Sequence, residues 1–270
     1  HEWAGSKRWE KVEDLSHEFY NLGHMVEGAV AHYQATGQKN FLNIAIRYAD
    51  CVCREIGDKP GQQVKVPGHQ IAEMALAKLY VVTGDKKYLD EAKFFLDKRG
   101  YTERKDEYSQ AHKPILEQNE AVGHAVRAAY MYSGIADVAA LTGDQEYIDA
   151  IDRIWENVVT KKLYITGGIG ATGSGEAFGK NYELPNMSAY CETCAAIGNV
   201  YWNYRLFTMY SNVPFIMAYC RGFLWTVGLS FIPILWNLSA SINVRPGSDV
   251  PVARRMPAVL FLLFRDIFML

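Results

Sequence analysis

Over most of the first 210 positions, apolar residues recur at the three- and four-residue steps of an α-helix. Ile71, Met74, Ala75, Leu79 and Val82 form one such stripe. The next stretch, 88–98, is richer in charge and reads as a more solvent-facing helix. Between such stretches the same punctuation returns: Ala35-Thr36-Gly37 before Phe41-Leu42, Val82-Thr83-Gly84-Asp85 before Tyr88-Leu89, and Leu141-Thr142-Gly143-Asp144 before Tyr147-Ile148. Glycine suits a left-handed C-cap, and the Asp or Gln after it opens the next helix, so each unit predicts an αα-hairpin with a tight link. Successive hairpins, each with an apolar and a charged member, predict an inner and an outer ring of helices in a bundle or α/α toroid. The strand period shows only around 163–169, so the predicted class is all-α.

Composition narrows the partners. The 270 residues are 49% hydrophobic and 21% charged, which suits a packed globular chain. A net charge of −2 leaves no basic footprint for nucleic acid or an anionic membrane surface. No positive n-region followed by an apolar h-region stands at the front, so no signal peptide is read there. The five cysteines are odd in number and irregularly spaced, which favours reduced thiols over disulfide staples.

A second repeat carries candidate chemistry. The dipeptides Gly23-His24, Gly68-His69 and Gly123-His124 stand near the starts of the three predicted inner helices. Equivalent positions in a repeat occupy equivalent places in space, so these histidines are expected to converge at one end of the toroid. A single histidine is more often packed or solvated; three in register favour a shared site. His17 and His112 lie close to the same ends and are weaker candidates.

After the third hairpin comes a glycine-dense stretch, 166–179, where the backbone can approach a ligand closely. Its one acid, Glu176, favours a site loop over a plain linker, and the stretch lacks the strand, helix and lysine of a phosphate-cradling loop. Tyr190-Cys191-Glu192-Thr193-Cys194 then opens a further apolar run. A Cys-x-x-Cys pair suggests redox or zinc chemistry, but the redox form belongs in a βαβ setting this chain lacks. Glu192 and Cys194 together offer a hard oxygen and a soft sulfur, both of which serve Zn²⁺. Taken alone, the cysteines also read as buried structural residues.

These words, in order, resemble glycoside hydrolase family 127, the β-L-arabinofuranosidases. His17-Glu18-Phe19-Tyr20, Gly23-His24, Pro67-Gly68-His69, His112-Lys113-Pro114, Gly123-His124-Ala125-Val126-Arg127, Gly175-Glu176-Ala177-Phe178-Gly179 and Glu192-Thr193-Cys194-Ala195 carry the likeness, which runs from about His1 to Tyr210. The resemblance implies an (α/α)6 catalytic barrel, here incomplete, and a retaining mechanism with a zinc-bound cysteine nucleophile. It implies Glu176 as general acid/base, Glu192 and Cys194 as zinc ligands, and His69 and His124, with His24 or His17, as sugar-binding residues. The implied partners are L-arabinofuranoside-containing glycans. Thiolate zinc chemistry favours a reducing interior, so the expected location is the cytoplasm.

The sequence departs from the family after Tyr210. Residues 211–270 contain no Lys, Glu, Gln or His, and they lack the Gly-Cys-Ala-Cys-Cys-Pro type of segment that holds the family's nucleophile and remaining zinc ligand. The stretch 215–236 is mostly apolar, but Arg221, Pro233 and the lack of flanking charge make it a poor membrane span. Reverse translation offers another reading. Suitable codons for 245–256, read one nucleotide earlier, encode Gln-Ala-Trp-Phe-Gly-Cys-Ala-Cys-Cys-Pro-Ser-Asn, and the same offset over 231–237 yields Phe-Tyr-Pro-Asn-Pro-Leu-Glu. The expected organisation is therefore a partial barrel over 1–210 and an out-of-frame tail over 211–270. A chain so built is expected to lack activity, and its uncovered inner-helix surface leaves room for association into a homo-oligomer. Two other classes compete: a non-catalytic carbohydrate-binding helical repeat, and a membrane-anchored helical domain.

Overall fold

A computed structural model describes residues 5–14 and 16–210. The tail over 211–270, with the apolar stretch at 215–236, lies outside the described residues. Among the described residues the regular elements are seven α-helices and two single-turn 3-10 helices (Ile115–Glu117 and Ser174–Glu176), with no strand. The α-helices are α1 (Glu18–Thr36), α2 (Asn40–Glu55), α3 (Ala72–Thr83), α4 (Lys86–Lys98), α5 (Ala125–Thr142), α6 (Gln145–Lys161) and α7 (Thr193–Tyr210).

The odd-numbered helices pack side by side in chain order, and α2, α4 and α6 lie behind α1, α3 and α5. Within the odd row α3 and α5 are apolar around most of their circumference, because each meets a neighbour on either side and an outer helix behind. In α5 even Arg127, Tyr132 and Ser133 are buried. The outer helices bury one stripe, such as Tyr147, Ala150, Ile151, Ile154 and Val158 of α6, and give the rest to water.

The tight links show why the Thr-Gly word recurs. Gly37, Gly84 and Gly143 take φ of 72°, 73° and 70°, a left-handed state that glycine adopts without strain. Before each, the hydroxyl of Thr36, Thr83 or Thr142 donates to the carbonyl four residues back, at 2.7, 2.8 and 2.7 Å. The same oxygen accepts the N–H of Gln38, Asp85 or Asp144. Asp85 and Asp144 cap α4 and α6 by accepting from Lys87 and Glu146 N–H. Gln38 does not cap: Lys39 occupies that position of α2, without a side-chain bond. The expected strand at 163–169 is a turn, because Gly167 at φ 91° bends the chain and Tyr164 N–H donates to Gly168 O.

The opposite ends of the hairpins are joined by long loops, from Glu55 to Ala72, Lys98 to Ala125 and Lys161 to Thr193. The chain thus has one end of tight turns and one end of loops, and the loops carry the candidate chemistry. Ahead of α1, Trp9 stacks on Phe19 at 5.2 Å and donates from its indole to Glu55 at 2.7 Å, fixing the first segment to this frame.

One buried acid lies away from that end. Glu91 of α4 is 7% exposed, one of its oxygens is buried without a hydrogen-bond partner, and burial pushes its pKa up to about 8. A carboxyl with a raised folded-state pKa contributes full stability below its unfolded value of about 4.5 and loses it as pH rises through the folded value. Glu91→Gln should therefore raise stability by about 2–3 kcal/mol at pH 8.5 and by little at pH 4.5. Denaturant titrations at the two pH values check this; an equal effect at both would discard the buried-acid explanation.

Candidate functional site

The loop end gathers four histidines and a set of tyrosines. His17 precedes α1, His24 lies inside α1, His69 stands just before α3, and His124 is the N-cap of α5. The Gly-His dipeptides are therefore not in one register, since His24 sits well inside its helix. The imidazoles nevertheless meet. His69 lies 6.2 Å from His17 and 5.7 Å from His124, ring centre to ring centre, and Tyr20 bridges His69 at 4.5 Å and His24 at 4.4 Å. Tyr130 of α5 closes the circle with His24 and His69 at 6.4 and 6.2 Å, and Tyr201 of α7 stacks beside it.

The dipeptide's glycines serve close packing. A β-carbon on Gly23 would lie 2.5 Å from Ile71 Cγ2, one on Gly68 2.5 Å from Glu13 O, and one on Gly123 1.8 Å from Glu107 O. Each histidine is thereby held where two chain segments touch.

Beneath His69 and His124 lies a buried polar network. The Arg99 guanidinium donates to Pro67 O at 2.7 Å and Ser109 O at 3.1 Å, and pairs with Glu73 at 3.3 Å. Gln70 donates to Ser109 O, Gln110 donates to Val122 O and His124 O, and Arg127 donates to Gly68 O. The network ties the loop bearing His69 to the loop bearing His124 by side-chain bonds to backbone carbonyls.

Glu176 reaches this cluster because its loop folds back. Phe178 N–H donates to Gly123 O at 2.9 Å, Cys191 N–H to Gly170 O at 2.8 Å, and Tyr190 N–H to Ala171 O at 3.3 Å. Glu176 and Cys191 sit at φ 51° and 42°, left-handed values that cost a non-glycine residue energy and collect at functional sites. Glu176 Oε2 accepts from His124 Nε2 at 2.7 Å, and Oε1 accepts from the Tyr190 hydroxyl at 2.8 Å. The Tyr190 bond first, then the His124 bond, lowers the Glu176 pKa, so the group rests as a carboxylate. Burial keeps His24, His69 and His124 below the usual histidine range, His69 at about 3, and all three are neutral.

Glu192 stands just before α7, with its carboxylate near Glu176, and Cys194 lies in the first turn of that helix. The Cys194 thiol hydrogen-bonds Glu192, and that bond, then burial, raises its pKa. Glu192 Oε2 is buried without a hydrogen-bond partner. That bare carboxylate oxygen, with a thiol beside it, fits a zinc ion in donor chemistry. His124, Glu176 and Glu192 also bring ligand atoms within 4.8 Å of one another. His124 suits that alternative poorly: its Nδ1 accepts the Arg127 N–H, so Nε2 carries the proton it donates to Glu176 and has no lone pair for a metal.

Sequence reasoning gave no individual role to Tyr20, Tyr108, Tyr130 or Tyr190, although inner-face tyrosines suit a sugar lining. A signal existed for Tyr20, four residues before His24 and so on the same helix face. None existed for Tyr108 or Tyr190, whose places depend on loop closure. No helix of the described residues is long and apolar enough to cross a membrane.

Known proteins share both the sequence and the helical frame. The family model for the β-L-arabinofuranosidase GH127 catalytic domain matches residues 1–221, somewhat past Tyr210. A non-reducing end β-L-arabinofuranosidase of Bifidobacterium longum subsp. longum is 40% identical over 216 residues, covering 72% of this chain and 33% of that protein. Among solved structures, a GH127 β-arabinofuranosidase is 72% identical with a TM-score of 0.82, covering 84% of this chain and 36% of that one. A GH127 β-L-arabinofuranosidase from Geobacillus stearothermophilus T6 is 40% identical with a TM-score of 0.80, covering 83% and 38%. The present chain thus spans about a third of the relatives' length, and its helices are part of an (α/α)6 barrel. It belongs to the β-L-arabinofuranosidase family, as a portion of the GH127 catalytic domain.

Proposed function

We propose that residues 1–210 are the part of a retaining β-L-arabinofuranosidase that binds the sugar and supplies its acid/base. The observation that carries this reading is the Glu176 carboxylate, held between Tyr190 and His124 at the edge of a histidine ring. The imidazoles of His17, His24 and His69 offer ring nitrogens to sugar hydroxyls, His124 reaches the sugar through the Nε2–H it shares with Glu176, and the tyrosine faces pack on ring C–H groups. The preferred substrates are L-arabinofuranoside-containing glycans.

A retaining glycosidase needs one group to protonate the leaving oxygen and a nucleophile on the opposite face, then uses the first group as a base. Glu176 rests in the base form. Sugar binding strips water from it, which raises a carboxyl's pKa, and the arriving glycosidic oxygen competes for one of its two donors. Both changes favour the acid form when it is needed. Glu192 and Cys194 would hold zinc, which when bound supplies the positive charge that keeps a thiol nucleophile deprotonated.

The nucleophile itself has no counterpart in the sequence as written. Residues 211–270 read as an out-of-frame tail, and the nucleotide sequence across the codons for Tyr210 to Val213 tests that: a gene with no Cys-Ala-Cys-Cys in the neighbouring frame refutes it. The purified chain, incubated with an aryl β-L-arabinofuranoside and zinc, should release no aryl alcohol, and turnover would contradict the reading. Zinc titration should show weak binding that Cys194→Ser weakens further, on the order of 100-fold. Unchanged affinity in that variant would remove Cys194 from the ligand set.

A further inference from the structure

The turn that carries Glu176 is flanked on both sides by tyrosine rings. A β-carbon on Gly173 would stand 3.7 Å from Tyr190 Cδ2, and one on Gly175 would stand 3.7 Å from Tyr108 Cδ2. Each ring therefore lies against the backbone of the turn at contact distance. Neither is covered: Tyr108 is 37% and Tyr190 41% exposed.

Both rings are fixed in place before any ligand arrives. Tyr190 is held by its hydroxyl bond to Glu176 Oε1. Tyr108 meets His124 edge to face at 5.2 Å, and the buried Arg127 guanidinium lies 4.6 Å from its ring centre. Rigid, half-exposed aromatic rings bind without losing much side-chain freedom, and they favour ligands that present an apolar face.

Their position relative to the acid decides what that ligand is. An acid that protonates a glycosidic oxygen stands beside the first atom of the leaving group. The glycone's hydroxyls are drawn to the polar ring of His17, His24, His69 and His124, so the leaving group lies against whatever else borders Glu176. Apart from His124 and Glu192, which face the sugar and metal sides, the rings against the turn that carries Glu176 are Tyr108 and Tyr190.

Resting on the sugar-site reading, we propose that Tyr108 and Tyr190 form the leaving-group subsite, which takes a second sugar ring by packing on its C–H face. The site is built for an arabinofuranosyl unit joined to another ring, and it discriminates by the group beyond the scissile bond as well as by the terminal sugar.

Binding tests this without requiring turnover. The full chain is titrated calorimetrically with methyl β-L-arabinofuranoside and with a β-linked L-arabinofuranosyl disaccharide. The disaccharide should bind about tenfold more tightly, the gain of one or two ring-stacking contacts. In Tyr108→Ala and in Tyr190→Ala the ratio of the two dissociation constants should fall to about threefold or less, while Tyr108→Phe, which keeps the ring, should preserve it. Should an alanine variant fail to fold, the wild-type chain gives a second readout: saturation of tyrosine ring protons should transfer to the C–H protons of the second sugar. Equal affinity for the two ligands in the wild type, a ratio that survives both alanine variants, or transfer confined to the terminal sugar overturns the subsite. A methyl glycoside that does not bind at all overturns the sugar-site reading itself.

Discussion

Arg99→Met should cost about 3–5 kcal/mol of stability, because it leaves a carboxylate buried without its counter-charge. Arg99 and Glu73 are 1% and 0% exposed, and the pair is reached by no solvent that could take over from the missing partner. Burial pushes the Glu73 carboxyl up, while the Arg99 guanidinium and the Ile71 N–H hold it down. Removing Arg99 also strips hydrogen bonds from Pro67 O and Ser109 O, one in each of the loops that present His69 and His124. The double variant Arg99→Met with Glu73→Leu should recover much of the loss, since the stranded charge goes with it. It should not recover the placement of His69, because nothing else donates to Pro67 O from that side chain's position. Denaturant midpoints measure the first effect and histidine ring-proton shifts the second. A single-variant loss below about 1 kcal/mol would mean that this network is not what holds the two loops together.

How far the sequence led can be traced residue by residue. The hairpins were legible because Thr36-Gly37, Thr83-Gly84 and Thr142-Gly143 encode a local device: the threonine hydroxyl and the left-handed glycine both act within a few residues. Inner and outer rows were legible because burial on one side or on most sides leaves a different periodicity. The Gly-His repeat drew attention to the right residues for an incomplete reason. Its glycines answer to backbone passing close by from far along the chain, Glu13 for Gly68 and Glu107 for Gly123, and no local pattern reports such partners. Gln38 looked like a cap by analogy with Asp85 and Asp144, but α2 begins one residue later in its link than α4 and α6 do, which puts Lys39 at the cap position. Leu163 to Ile169 looked extended because its apolar residues alternate, and the glycines among them break the strand. Tyr190 was invisible as a partner of Glu176 because fourteen residues separate them and only the pairing of Tyr190 and Cys191 with Ala171 and Gly170 brings them together.

That dependence on distant backbone makes Gly123→Ala the sharpest test of how the site is assembled. Gly123 has φ 69°, and an added methyl would meet the Glu107 carbonyl, backbone that cannot rotate aside. Gly143 has nearly the same φ, 70°, with nothing within 4 Å of an added β-carbon. The pair separates two costs. Gly143→Ala carries the strain of left-handed alanine alone, about 1–2 kcal/mol, whereas Gly123→Ala adds the displacement of the 107–108 segment, for a total of about 3–5 kcal/mol. The second loss also has a functional signature. Gly123 O accepts from Phe178 and His124 N–H donates to Tyr108 O, so moving this segment pulls His124 away from Glu176 and Tyr108 from the turn it supports. Thermal melts of both variants give the difference in stability. Titration with methyl β-L-arabinofuranoside should show binding kept in Gly143→Ala and reduced at least about tenfold in Gly123→Ala, equivalent to the loss of one charge-assisted hydrogen bond. Equal destabilisation by the two substitutions would show that the 107–108 segment yields readily, and the close approach at Gly123 would then not be what places His124.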